Sequence, residues 1–223
     1  MKKLFFLACL FVLHNVCAQE ITKTLGDFST VKVFDKISVK LVKSNENKIV
    51  ITGSRAEDVE LVTKNNDLKI RMKLSKLLQG EEINATLYYK FIDEVEASEG
   101  AYVSSEDIFK VTSITLNSKE GSHIKLTLDV QKVQAKLHTG GIIELNGKAS
   151  AQDVTITSGG ILKAKNLATS QTEISVNAGG EADVNASELV DAKIRAGGNI
   201  DIFGSPRQVN KKTTAGGNIE MRG

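Results

Sequence analysis

The 223-residue chain is short of proline, tryptophan and cysteine, and each shortage narrows the choice of fold. It has one proline, Pro206, no tryptophan, and only Cys9 and Cys17, both near the start. Without the first eighteen residues, the chain has no thiol for a disulfide or a cysteine metal site. Long stretches with a helical period are also missing. Glycine, valine, isoleucine, threonine and serine are frequent instead, which favours an all-β protein.

The first eighteen residues have the composition of a secretory signal peptide. Lys2 and Lys3 precede an apolar run over residues 4–13, and the segment ends in small residues at Ala18. The run is too short for a membrane span, which needs about 20 apolar residues. Cys17 does not follow the small residue that a lipidated cysteine requires. We therefore predict a cleaved signal peptide over residues 1–18.

Loss of that segment changes the charge of the chain. Removing Lys2 and Lys3 from the 29 basic residues leaves 27, which equals the 27 acidic residues. A neutral chain offers no electrostatic argument for binding nucleic acid or an anionic membrane surface. We expect the exported domain, residues 19–223, to lie in the periplasm, on the outer cell surface or outside the cell, without a transmembrane segment.

A glycine step recurs along the second half of the chain every 18 to 21 residues. A period near twenty indicates a solenoid, in which each repeat is one coil that buries its apolar face only against its neighbours. Glycine suits a bend because it reaches backbone angles that are closed to residues with a Cβ. The first glycines of the steps are Gly100, Gly121, Gly140, Gly159, Gly179, Gly197 and Gly216, and we interpret the last five as structural corners.

Apolar and polar positions alternate on both sides of each glycine, as in strands with one buried face. We therefore expect at least two short strands in each coil and continuous apolar columns inside the stack. The position three residues after the glycine is apolar in every repeat: Val103, Ile124, Ile143, Leu162, Ala182, Ile200 and Ile219.

These patterns predict an all-β solenoid of about seven coils over residues 96–223. Residues 19–95 lack the glycine step, and we expect them to form a β meander that packs on the first coils. A separate small domain is the alternative for that region. Asn65-Asn66-Asp67 favours a hairpin between residues 59–63 and 68–73. Residues 74–82 would be a loop or one helical turn.

The last coil departs from the pattern in a way that indicates a cap. Lys211 and Thr213 occupy columns that hold mostly Ile, Val, Leu or Ala in earlier coils, and Pro206 precedes them. Terminal repeats of solenoids are commonly atypical because the open end of a sheet invites aggregation. We therefore expect the stack to end here.

The chain resembles the family of the putative auto-transporter adhesin, head GIN domain, which is found in exported proteins of Bacteroidota. The resemblance covers residues from about 28 to 219. It rests on residues 34–41 (FDKISVKL), followed by 47–51 and 68–70, on glycine steps such as 177–186 (NAGGEADVNA), and on residues 198–206 (GNIDIFGSP). Members usually have Ser-Gly-Ser-Gly steps, whereas this chain has mostly Ala-Gly-Gly or Ser-Gly-Gly. The resemblance implies a single-stranded right-handed parallel β-helix and an adhesion role, with no active-site residues or cofactor to carry over.

Three acidic residues, Asp183, Asp201 and Glu220, fall in one outward column on consecutive coils, about 5 Å apart. They are the candidates for surface binding, of a cation or a polysaccharide. The alternative is a solvated face, because Lys125 and Lys163 lie in the same column.

His123 and His138 fall on opposite sides of a bend, so a metal site between them is not expected. Tyr88, Tyr89, Phe91 and Tyr102 would form either a sugar-binding platform or a plug between the meander and the coils.

Two functional hypotheses remain open on the sequence, besides that of a purely structural envelope protein that assembles end to end. The first is an exported, non-enzymatic surface module that binds a glycan or an envelope or surface protein, without a cofactor. The alternative is a polysaccharide-active enzyme that uses the stacked carboxylates. The sequence leaves the oligomeric state open.

Overall fold

The computed structural model describes residues 20–222, and 68% of it is strand. The predicted signal peptide, with Cys9 and Cys17, lies outside the described residues. Two short 3-10 helices, Ala56–Asp58 and Leu74–Lys76, interrupt the strands. No helix within residues 20–222 has the length and apolar character needed to cross a bilayer. The all-β prediction is therefore confirmed.

Seventeen strands form the fold, and they fall into three groups along the chain. The first group comprises β1 Glu20–Thr24, β2 Thr30–Val33, β3 Ser38–Lys43, β4 Lys48–Thr52, β5 Val59–Lys64, β6 Asp67–Met72 and β7 Asn84–Tyr89. The second comprises β8 Glu94–Ala97, β9 Tyr102–Phe109, β10 Ser113–Lys119, β11 His123–His138, β12 Ile142–Ile156, β13 Ile161–Val176 and β14 Glu181–Ala196. The last comprises β15 Asn199–Phe203, β16 Gln208–Ala215 and β17 Asn218–Met221.

From β8 onward the strands stack in parallel as a solenoid of about seven turns, which confirms the predicted coils. Each of β11 to β14 starts after one glycine step, turns a second corner near its middle and ends at the next step. The register places equivalent residues above one another, for example Ile124 beside Ile143 and Ile143 beside Leu162. The strand segments that precede the glycine steps form one face of the stack, and the segments that follow them form a second face.

The two glycines of a step meet different requirements. Gly179 has a φ of 65°, and a Cβ at that position would meet no atom within 4 Å. Gly180 has a φ of 121°, and a Cβ there would lie 2.7 Å from Ile156 Cγ2 and 2.8 Å from the Gly160 carbonyl oxygen. The first glycine is thus needed for its backbone angle, and the second also lets adjacent coils approach closely.

The N-terminal strands continue the stack before they cap it. β2 and β3 pair in parallel with β8 and β9, and β6 and β7 pair in parallel with β2 and β3. Two coils without a glycine step therefore precede the first predicted coil. The antiparallel pairs of the described chain are β1–β4, β4–β7 and β5–β6, and they form the curled end of the sheet. The β5–β6 hairpin turns at Asn65 and Asn66, both with positive φ, as expected.

The corner between β2 and β3 uses Asp35 and Lys36 in the place of a glycine step. Their φ values are 60° and 63°. The Asp35 side chain is buried and accepts hydrogen bonds from the amides of Met72 (2.9 Å) and Leu78 (2.8 Å). These bonds offset the strain of two non-glycine residues in the left-handed region.

The opposite end of the stack closes with the last coil. Lys211 takes an inward column position, and its Nζ donates to the Ile219 carbonyl oxygen at 2.9 Å. β16 is exposed over most of its length, and it pairs only with β14. An inward-pointing charge is one way in which proteins blunt an open sheet edge.

Candidate functional site

The second corner of each coil lies about midway between glycine steps. It is visible as two adjacent non-buried residues that interrupt the alternation, at Gln131-Lys132 and Ser150-Ala151. Gln131 and Ser150 fall outside the ladder register there. Small and medium-sized residues occupy the corner positions along the stack: Val130 aligns with Ala149, Ala149 with Thr169, and Thr169 with Ala186.

A groove runs along this second corner, and we call it the corner groove. Its volume is about 960 Å³. Six successive levels line it, so it is about 24 Å long at the usual strand spacing of about 4.8 Å. The levels are residues 110–112, 129–131, 148–150, 168–170, 185–187 and 204–205, with Phe91 at one end.

Eight of the eighteen residues that line the corner groove are neutral and polar, and three are charged. Ser150, Ser170, Ser187 and Ser205 place a hydroxyl on four successive levels. The charges of Asp129 and Lys148 offset each other, since their Oδ1 and Nζ lie 3.4 Å apart. Apart from Lys110, the groove therefore offers mainly neutral groups that donate and accept hydrogen bonds.

The end of the groove nearest the N-terminal coils is apolar. Phe91 is 47% exposed there, and Val111 lies in the same wall. An exposed aromatic ring gives a flat apolar surface on which a sugar ring can pack. The groove thus joins an aromatic surface to a ladder of hydroxyl groups.

The floor of the groove is held by a short buried network. Thr169 Oγ1 donates to the Asn185 carbonyl oxygen at 2.8 Å and lies 2.9 Å from Thr172 Oγ1. Thr172 in turn donates to Gln152 Oε1 at 3.2 Å, and Gln152 Nε2 is buried without a hydrogen-bond partner. These polar side chains fix the rotamer of Thr169 at the groove surface.

The acidic column predicted from the sequence is present as a register. Asp183 aligns with Asp201, and Asp201 with Glu220. Arg222 donates to the last two, at 3.2 Å from Asp201 Oδ2 and 2.7 Å from Glu220 Oε2. Within residues 20–222, no ion pair or hydrogen bond reaches the Asp183 carboxylate. Burial, and then the charge of Asp201, raises the pKa of Asp183.

The two histidines lie apart, on opposite faces of the stack. His123 packs edge-on against Tyr102, with ring centroids 5.2 Å apart, and its Nε2 is 3.9 Å from Glu144 Oε2. Burial lowers the pKa of His123. His138 Nδ1 contacts the Thr157 hydroxyl. Among residues 20–222, no three His, Cys, Asp or Glu side chains are arranged to hold a metal ion.

The four aromatic residues do not form one platform. Tyr89 is buried and stacks on Phe109 with ring centroids 5.5 Å apart, and burial raises its pKa. Tyr88 lies under Lys48, whose Nζ is 4.8 Å from the ring centre. Tyr102 contacts His123, and only Phe91 reaches the corner groove. Tyr89 therefore acts as a plug, as one of the two predictions stated, while Phe91 is exposed.

The corner groove was not predicted from the sequence, although a signal for it exists. Small residues recur seven to ten positions after the first glycine of a step, at Ala149-Ser150, Ala168-Thr169, Ala186-Ser187 and Gly204-Ser205. The offset varies, because β13 and β14 shift register between Lys163 and Gln171. A search for columns at a fixed offset misses a corner that moves in this way.

Comparison with known proteins agrees with this architecture. Residues 27–206 match the family described as putative auto-transporter adhesin, head GIN domain. The chain belongs to this family. No curated protein shows significant sequence similarity to it.

Solved structures share the fold of this head GIN domain over nearly its whole length. A putative adhesin from Bacteroides fragilis superposes with a TM-score of 0.83 at 21% identity, covering 92% of this chain and 97% of that one. A putative adhesin from Parabacteroides merdae gives 0.67 at 20% identity, covering 94% and 98%. A protein from Parabacteroides distasonis described as a putative lipid binding protein gives 0.70 at 16% identity, covering 92% and 98%. At these identities, the similarity establishes the fold alone.

Proposed function

We propose that this head GIN domain is an exported, non-enzymatic binding module of the cell envelope that holds a neutral glycan in its corner groove. Family membership supports an adhesion-like role. The observation that carries the proposal is the groove itself, about 960 Å³ in volume and open across six levels of the stack. A long ligand that runs along the solenoid axis fits this shape.

The lining favours a glycan over a charged polymer. Hydroxyl and amide groups of Thr112, Gln131, Ser150, Ser170 and Asn185 match the hydroxyl groups of a sugar chain. A nucleic acid would need an excess of basic side chains, since phosphate contacts dominate its binding. Lys110 and Lys148 are the basic residues in the groove wall, and Asp129 offsets the second.

The backbone around the groove favours a glycan over an extended peptide. A peptide that binds as an added strand needs unpaired main-chain groups along a sheet edge. The strands that form the middle of the groove, β11 to β14, are paired on both sides within the stack. The groove therefore offers side chains rather than a free edge.

The enzymatic alternative receives less support from the acidic column. Arg222 bridges Asp201 and Glu220 and occupies an oxygen atom of each carboxylate. A glycosidase needs one carboxyl group with a raised pKa opposite a second carboxylate across a sugar-sized gap. Asp183 has the raised pKa, but its neighbour Asp201 is stacked beside it on the same face.

The proposal is tested with a panel of bacterial and mucin-type oligosaccharides and a variant that fills the groove. Ser170 is exposed on the groove wall, so Ser170→Tyr should leave the fold intact and abolish glycan binding. Ser175→Tyr places the same side chain on the same strand, outside the groove, and should bind as the unchanged protein does. Absence of any bound glycan, or equal binding by both variants, would contradict the proposal.

A further inference from the structure

Three leucines stand exposed on one short loop between β6 and β7. Leu74 is 74% exposed, Leu77 48% and Leu78 49%. We call this the leucine loop. Clusters of large apolar side chains on the surface of a soluble protein mark a contact with another apolar surface.

The backbone of the loop is fixed, so the leucines cannot fold back into the core. Leu78 has a φ of 60°, and its amide donates to the buried Asp35 carboxylate at 2.8 Å. The Gly80 amide donates to the Asp35 carbonyl oxygen at 3.0 Å, and a Cβ on Gly80 would lie 2.4 Å from that atom. A leucine is strained in the left-handed region, so these hydrogen bonds hold Leu78 there. This construction keeps the three apolar side chains directed outward.

The leucine loop lies beside the place where the described chain begins. Glu20 pairs with Thr52, and the next residue, Gly53, packs against the Glu82 backbone of the same loop. Ser54 Oγ also donates to Glu82 Oε2 at 2.6 Å. The sequence upstream of Glu20 carries the apolar run over residues 4–13. The loop and the start of the described chain therefore lie at the same corner of the fold.

The size of the cluster decides between a protein partner and a lipid surface. A stable protein interface buries about 800 Å² on each partner, from 20–30 residues. Three leucines fall far short of that number of residues. Insertion into a fluid bilayer needs no complementary surface, and each inserted leucine adds apolar burial.

We propose that the leucine loop inserts into the interface of a lipid bilayer and orients the domain on a membrane. Around the loop, Lys73 pairs with Asp58 at 3.3 Å and Lys36 with Glu81 at 2.7 Å, so insertion depends on the leucines and not on anionic lipid. The Asp35–Lys36 turn stacks on the first glycine step, at Glu99-Gly100, and this edge of the stack lies away from the corner groove. The groove therefore stays open while the loop is in the membrane.

Vesicle flotation tests the proposal with the purified protein. We expect it to float with vesicles of phosphatidylcholine and phosphatidylethanolamine, equally at low and high salt. Leu74→Ser/Leu77→Ser/Leu78→Asn should lower the partition coefficient at least tenfold. Ile108→Ser/Met221→Ser, which removes two other exposed apolar side chains, should not. Failure of the unchanged protein to float, or binding that high salt abolishes, would overturn the proposal.

A fluorescence measurement covers the case in which the triple variant does not fold. The chain has no tryptophan, so Leu77→Trp introduces a single reporter. Its emission should shift to shorter wavelength on addition of vesicles, whereas that of an Ile108→Trp control should not. Equal shifts, or none, would overturn the proposal. Ser170→Tyr should float like the unchanged protein, which separates this result from the fate of the glycan proposal.

Discussion

Substitution of the two glycines in one step tests how the coils are packed. Gly179 sits in open space in the left-handed region, where alanine costs about 1–2 kcal/mol. Alanine also reduces the conformational entropy of the unfolded chain, which offsets about 0.4–1 kcal/mol of that destabilisation. Gly179→Ala should therefore destabilise the domain by about 1 kcal/mol.

Gly180→Ala should cost several times more. Its φ of 121° is closed to residues with a Cβ, at about 1–3 kcal/mol. The new Cβ would also lie 2.8 Å from the Gly160 carbonyl oxygen, which already accepts the Glu181 amide at 3.0 Å. Relief of that contact must move one coil relative to the next, and such overpacking costs about 1–3 kcal/mol. We expect a total loss of about 3–5 kcal/mol.

Thermal unfolding followed by circular dichroism distinguishes the two variants. In a domain of this size, each kcal/mol shifts the midpoint by about 2–4 °C. Gly179→Ala should fall by about 2–4 °C, and Gly180→Ala by about 6–20 °C. Equal losses, or a larger loss for Gly179→Ala, would refute the assignment of the close inter-coil contact to the second glycine.

Three further predictions concern buried and terminal polar groups. Gln152→Met removes a buried amide nitrogen that has no hydrogen-bond partner, and Thr172 keeps its contact with Thr169. Urea unfolding should therefore show that the free energy of unfolding rises by about 1–2 kcal/mol, and a decrease would contradict the reasoning. Asp183→Asn should raise the unfolding midpoint at pH 7 and lose that gain near pH 3. The reason is that a carboxyl group whose pKa is raised in the folded state lowers stability only above its unfolded pKa of about 3.9. A gain that persists at pH 3 would exclude this cause. Lys211→Ile/Thr213→Val should make the protein associate as its concentration rises in sedimentation experiments, because the Lys211 charge no longer protects the open edge of the last coil. An unchanged molecular mass would contradict the assignment of this coil as a cap.

The coils could be predicted from sequence because their packing is periodic. Residues such as Ile124, Ile143 and Leu162 repeat at a fixed offset from a glycine, and alternation on both sides identifies the strands. The N-terminal coils escaped the same reasoning. One of their corners uses Asp35 and Lys36 in place of a glycine step. A hydrogen bond to the buried Asp35 carboxylate stabilises this turn, in which both residues have positive φ.

The candidate site was harder to predict than the fold. The acidic column was visible because Asp183, Asp201 and Glu220 share one offset, but its neutralisation depends on Arg222, whose side chain reaches back across the last coil. The corner groove arises from residues that share only small size, at an offset that moves with the bulges in β13 and β14. Concavity is a property of neighbouring coils together, so no single repeat displays it.

The central claim is that the corner groove binds a neutral glycan, and an NMR titration tests it most directly. Backbone amide shifts would be followed while the oligosaccharide selected from the panel is added. The claim predicts that the perturbed residues lie along the second corner, around Ser150, Thr169, Ser170 and Ser187, with Phe91 at one end. Perturbations confined to the column around Asp183, with the corner unchanged, would contradict it.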